Sequence, residues 1–158
     1  MAAYRHVRQR FVQAGADAVT WIFAPSIAYR GLDRYYPGAD VVDWSASAVL
    51  NYGTTARWSK WWSLDELLAP GYTELARLGH PIMLAETSSA RHGGVPWSWY
   101  EEARAALTSG KYPAVRALVL FHDANDRTLG TQPVDFSADD DATRPAVARL
   151  LRAFKDRR

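Results

Sequence analysis

Four short apolar runs alternate with longer segments of helical pattern, and no other feature constrains the fold as tightly. The runs are Ala18 to Ala24 (AVTWIFA), Ala48 to Tyr52 at the end of the segment VVDWSASAVLNY, Pro81 to Ala85 (PIMLA) and Val115 to Phe121 (VRALVLF). Brief apolar runs bounded by turn signals suit buried parallel strands. Between them lie four helical patterns. Tyr4 to Ala14 carries Tyr4, Val7, Phe11 and Val12 on one face, with Gly15 placed as its C-cap. Leu64 to Leu78 opens on Ser63 with Glu66 three residues on, the signature of a capping box, although Pro70 and Gly71 threaten to interrupt it. Pro96 begins a third helix that runs to about Ser109, since proline suits a first helical turn. Arg144 to Lys155 is the last, with Thr143 as its expected cap. Ser26 to Gly38 is irregular with one helical turn, the front of Val41 to Tyr52 admits a helix, and His122 to Asp141 reads as a long polar loop. The order is a helix followed by four βα units, which predicts a parallel sheet of the α/β class. A closed (β/α)8 barrel needs eight such units and about 250 residues. The chain has 158, so its content is that of an open four-stranded sheet or of half a barrel.

Composition narrows the chemistry. There is no cysteine, which removes disulfides and thiolate catalysis. The formal net charge is only +2, and the basic residues are scattered, with an acidic run at Asp139 to Asp141. That pattern is a mixed solvated surface and not a nucleic-acid footprint. No apolar run approaches the roughly 18 residues of a membrane span, and the basic start from Met1 to Phe11 lacks the apolar core of a signal peptide. The expected location is cytoplasmic, unless sequence upstream of Met1 carries an export signal, in which case it is secreted or at the cell surface. The four histidines have no i, i+4 partner, and no Gly-rich phosphate loop or G-x-S-x-G elbow is present. No metal or cofactor is therefore expected.

Glu86 is the foremost candidate for chemistry, because it directly follows a strand pattern and parallel α/β folds carry their active residues at the C-terminal strand ends. The bland alternative is a cap or an ion pair with Arg91. Asn51 and Tyr52 end the preceding strand, and a phenol there can tune a carboxylate or cover the rim. Trp21 and Phe23 share one strand face, a pattern of core residues. Trp58, Trp61 and Trp62 place three indoles within five residues on a connection, which suits either sugar platforms or a hydrophobic lid. His122, Asp123 and Asp126 follow the last strand. The two aspartates are the in-chain candidates for a second catalytic carboxylate of this kind, against a turn or cap role for each.

With those residues in place, the sequence resembles glycoside hydrolase family 26, the β-mannanase family, in the C-terminal half of its barrel. RHVRQRFVQAGADAVTWIFAP is similar to the family's fourth helix and fifth strand, YYPGADVVDWSASAVLNYG to its sixth strand, HPIMLAETSS to its seventh strand, and YPAVRALVLFHD to its eighth. The resemblance covers Tyr4 to Phe154. It implies a partial TIM barrel of strands five to eight forming one domain over residues 1–158. It also implies Glu86 as nucleophile and Tyr52 as the tyrosine beside it. Trp21, Trp58, Trp61, Trp62, Trp97 (or Trp99 in its place) and His122 are the candidate substrate-binding residues. The family's acid/base glutamate sits in a His-Glu pair, and this chain has none. The implied function is a retaining endo-β-glycanase fragment acting on a polysaccharide, with its general acid absent. The alternative is a non-catalytic glycan-binding half-barrel, which as a homodimer would cover its open edges.

Overall fold

The computed structural model describes residues 1–25, 31–130 and 132–157. Helix α1 (Ala2–Gln13) precedes strand β1 (Ile22–Phe23), a 3-10 turn (Leu32–Arg34), strand β2 (Trp44–Asn51), helix α2 (Leu64–Arg77), strand β3 (Ile82–Ser89), helix α3 (Pro96–Thr108), strand β4 (Val115–Leu120) and helix α4 (Thr143–Lys155). The four strands form one parallel sheet in the order β1-β2-β3-β4. Parallel neighbours joined by crossovers take the right-handed path. Strands that also stay in chain order place every crossover on the same side of the sheet. This is the arrangement of a barrel segment. A doubly wound sheet instead reverses its strand order to put helices on both faces.

The core lies between sheet and helices. Val49, Ile82, Leu84 and Val115 from the strands meet Leu64, Leu68 and Leu75 of α2, Trp99, Tyr100 and Leu107 of α3, and Leu150 of α4. Each large apolar side chain buried there contributes roughly 1.5–3 kcal/mol relative to exposure. Helix α2 begins as its sequence dictates. Ser63 accepts from the Glu66 backbone N–H while the Glu66 carboxylate accepts from Ser63 N–H. Pro70 lies inside this helix without ending it.

Several expectations are corrected. The first strand is two residues long, because only Ile22 and Phe23 ladder with Trp44 and Ser45. The segment from Trp44 is all strand and not part helix. Its buried small residues Ser45, Ala46 and Ser47 sit tightly in the sheet, and they mimic the composition of a helix. Val7 and Val12 of α1 are exposed; Tyr4 and Phe11 alone engage an aromatic neighbour. The cap of α4 is the Asp140 carboxylate, which accepts from the backbone N–H groups of Ala142 and Thr143, while Thr143 is buried in the first turn. Residues 26–30 of the irregular segment lie outside the described residues; its helical turn is the one at Leu32–Arg34. The last loop is not simply polar: Val134 and Phe136 are buried against Leu50, Tyr52, Ala90 and Phe121.

Candidate functional site

Strand β3 carries Glu86 within it and continues to Ser89, so Glu86 is not the first residue beyond the strand. The β2–β3 register shifts between Ser47 and Ala48, so that Ala48 stands opposite Glu86. Both residues are exposed, while Ser47, Val49 and Thr87 beside them are buried. The bulge thus turns one carboxylate out of a strand whose next three residues are inaccessible, a common use of bulges beside active sites. Among the described residues, no side-chain hydrogen bond or ion pair engages Glu86. Arg91 is committed elsewhere, to Asp135, Asp139, Asp140 and Ser137.

Tyr52 follows the end of β2 and is half-buried. Burial raises its phenol pKa above the ordinary tyrosine value, and the negative charges of Asp126 and then Glu86 push it the same way. Tyr52 therefore stays protonated near neutral pH and lies within the field of both carboxylates. Its ring packs edge-on against Phe136 and against Trp58, with centroids 5.2 and 5.9 Å away. Asp126 is buried and closes its own turn, accepting from Thr128 N–H and the Thr128 hydroxyl. Asp123 does the same for Asn125 N–H. Both aspartates have the turn role.

The tryptophans divide by environment. Trp58 is 65% exposed beside Tyr52. Trp61 packs on the core and against Gly94, where a Cβ would lie 2.4 Å from the indole. Trp62 lies under the Lys60 ammonium, 4.3 Å from the ring centroid, and its carbonyl accepts from Trp99 Nε1 at 2.8 Å. Trp99 is completely buried, whereas Trp97 in the first turn of α3 is 46% exposed. Trp21 belongs to a different place. It precedes β1, at the N-terminal end of the parallel sheet, and packs edge-on against Tyr4 and Phe11 of α1. Tyr52, Glu86 and Trp58 are together; Trp21 is not with them. His122 is exposed just beyond β4. Among the described residues, no cluster of three or more His, Cys, Asp or Glu side chains is arranged to hold a metal ion. A cavity of about 450 Å³ lined by Thr108, Arg116 and Arg157 opens at the start of β4, the end of the sheet away from Tyr52, and shares no residue with the site.

Sequence reasoning did not find the part played by Asn51. This residue is fully buried, and its side chain joins the end of β2 to the end of β3 and to the tryptophan loop. Nor did it find the interlock of the two rim loops. Thr54 N–H donates to the His92 carbonyl, and Gly53 sits so close that a Cβ would lie 1.7 Å from that oxygen. The trace of this in the sequence is a glycine after β2 and the Gly93-Gly94 pair after β3, of which Gly53 packs on the His92 carbonyl and Gly93 on Thr54.

The chain is 35% identical over 131 residues to endoglucanase H of Acetivibrio thermocellus, an alignment covering 78% of the chain and 14% of that protein. Among solved structures it is similar to mannanase man26 of Bacillus subtilis, with a TM-score of 0.53 and 20% identity over 77% of the chain and 31% of the mannanase. The chain carries a glycoside hydrolase fold of the family 26 type. The chain is also similar to the YdhT protein of Bacillus subtilis, with a TM-score of 0.57 and 18% identity over 98% of the chain and 37% of that protein. No family model matches the chain. The sheet is accordingly a partial α/β barrel that spans about a third of the solved barrels it matches.

Proposed function

We propose that these residues form the nucleophile-bearing, C-terminal half of the catalytic barrel of a retaining β-glycanase, acting on a β-linked mannan or glucan. The observation that carries the reading is the position of Glu86. Its carboxylate is exposed on the bulged strand β3, has no hydrogen bond or ion pair among the described residues, and lies in the electrostatic field of the Tyr52 hydroxyl, whose ring packs against the open indole of Trp58. An accessible carboxylate not held by a cation is what a nucleophile needs. In the reaction Glu86 attacks the anomeric carbon, the glycosidic C–O bond breaks, and the leaving oxygen takes a proton from a second carboxyl group about 5–5.5 Å away. Tyr52, kept protonated, donates a hydrogen bond to Glu86 or to the sugar ring. Trp58 and Trp97 offer apolar indole surface to the sugar's C–H face, and His122 lies at the rim.

The proton donor is expected from sequence outside these residues. Glu66 is held in its capping box, Glu74 pairs with Arg77, and Glu101 pairs with Arg104 and Arg149. Asp126 is occupied in its turn. This favours a second reading, a glycan-binding half-barrel without polysaccharide hydrolysis. An activated substrate separates the readings, because a dinitrophenyl leaving group departs without general-acid help. The glycanase reading expects a burst of one dinitrophenolate per chain from a dinitrophenyl β-mannobioside or β-cellobioside, lost in Glu86→Gln. Glycan binding with no burst supports the second reading and overturns the first. Self-association through the open edges of β1 and β4 is tested by sedimentation at rising protein concentration.

A further inference from the structure

The loop from Gly53 to Trp62 has both ends tied to one atom. Asn51 Oδ1 accepts from Gly53 N–H at 3.1 Å and from Trp62 N–H at 3.0 Å. On its other side, Asn51 Nδ2 donates to Ser89 Oγ at 2.9 Å, and the Asn51 carbonyl accepts from Ala90 N–H at 2.7 Å. Inside the loop, the Ser59 hydroxyl donates to the Gly53 carbonyl and the Thr55 hydroxyl to the Tyr52 carbonyl. A loop of this length with joined ends and internal packing behaves as one rigid unit. A buried amide whose acceptor and donor are both used costs nothing in unpaired polar groups, and it specifies a single geometry.

Within this unit the indoles have unequal freedom. Trp61 is held against Gly94, and Trp62 is held through its carbonyl by Trp99 and through its ring by Lys60. Trp58 alone of the three presents most of its surface to water, and its one aromatic contact is the edge of Tyr52. The closure at Asn51 fixes the loop that carries this indole against Tyr52.

We infer that Asn51 is a positioning residue for glycan recognition: it touches no sugar, and it sets the affinity of the site by holding Trp58 in place beside Tyr52. This inference rests on the reading of Trp58 as a sugar platform. Ordering a mobile aromatic loop on each binding event would weaken affinity about five- to tenfold, the equivalent of fixing one or two side chains. Any residue at position 51 without a side-chain acceptor oxygen incurs that loss. Aspartate retains the acceptor oxygen, and the Ser89 hydroxyl can turn to donate to it.

The test is a double-mutant cycle read by calorimetric titration of β-1,4-mannohexaose into the full chain. Asn51→Ala is expected to weaken binding about five- to tenfold and Trp58→Ala at least as much. Asn51→Ala added to Trp58→Ala is expected to change nothing further, because the platform it positions is gone. Asn51→Asp is expected to recover most of the lost affinity. If Asn51→Ala does not fold by circular dichroism, Asn51→Asp decides: binding as weak as that of Trp58→Ala overturns the inference. Additive losses from Asn51→Ala and Trp58→Ala overturn it as well, since a general structural defect lowers affinity in either background. Unchanged affinity in Trp58→Ala alone refutes the platform reading itself, and is distinguished by that single variant.

Discussion

Gly53→Ala tests the interlock of the rim loops against a matched control. Gly53 has φ of 56°, and a Cβ there lies 1.7 Å from the His92 carbonyl oxygen and 2.9 Å from its carbon. The obstructing atoms are backbone, so no rotamer change relieves them. The oxygen must retreat by about 1.3 Å to reach the 3.0 Å limit of real Cβ contacts, carrying with it the acceptor of Thr54 N–H. Left-handed backbone costs an L-residue roughly 1–2 kcal/mol, and overpacking adds about 1–3 kcal/mol. The expected loss is therefore about 2–5 kcal/mol, a large share of the roughly 5–15 kcal/mol that holds a domain folded. Gly79 has φ of 80° and nothing within 4 Å of a Cβ, so Gly79→Ala incurs the conformational cost alone. The entropic benefit of removing a glycine from the unfolded chain is common to both and cancels. Urea unfolding at constant m-value should place Gly53→Ala about 1–3 kcal/mol below Gly79→Ala. Equal midpoints would refute the interlock.

Trp58→Ala should leave the urea midpoint within about 0.5 kcal/mol of the parent while abolishing most glycan binding. Trp99→Ala, which empties a fully buried site and orphans the Trp62 carbonyl, should cost about 3–5 kcal/mol. Asp65 accepts from Lys111 Nζ and from the Tyr112 hydroxyl, and these partners, Lys111 foremost, hold its carboxyl below the usual range. Its folded pKa is depressed, so its contribution is present above about pH 4 and is lost as pH falls through the folded value. Asp65→Asn should therefore lower the urea midpoint at pH 7 and converge on the parent in acid; a constant offset at all pH values would contradict this. Ser63→Ala removes half of the capping box and should cost about 1 kcal/mol, seen as a lower thermal midpoint at unchanged helix content.

The parallel strands and the three long helices after β2 were legible because each is a long periodic segment with its own start signal, such as Ser63 with Glu66 or Pro96. The first strand was misjudged because AVTWIFA is apolar throughout. Only two of its residues find a ladder partner, while the Trp21 carbonyl is taken by Asp43 and Trp44 N–H. β2 was misjudged because Ser, Ala and Ser in a sheet look like a helix until their burial is seen. At the candidate site, a strand-end reading singled out Glu86 and Tyr52, although Glu86 lies within β3, and spacing marked Trp58, Trp61 and Trp62 as a group. Which of the three faces water depends on Gly94, Lys60 and Trp99, contacts between separate loops that no local pattern encodes. The bulge that turns Glu86 outward depends equally on the register between β2 and β3.

The most direct test of Glu86 as a nucleophile is covalent trapping on this chain alone. A 2-deoxy-2-fluoro-β-mannobiosyl or -cellobiosyl fluoride carries a leaving group that needs no proton donor, so the test does not depend on a general acid. The glycosyl-enzyme, once formed, persists. Intact-mass measurement followed by peptide mapping should show one added disaccharide residue, located on the peptide containing Glu86 and absent in Glu86→Gln. A chain whose mass stays unchanged while it binds the same disaccharide, or an adduct on any other carboxylate, would contradict the assignment.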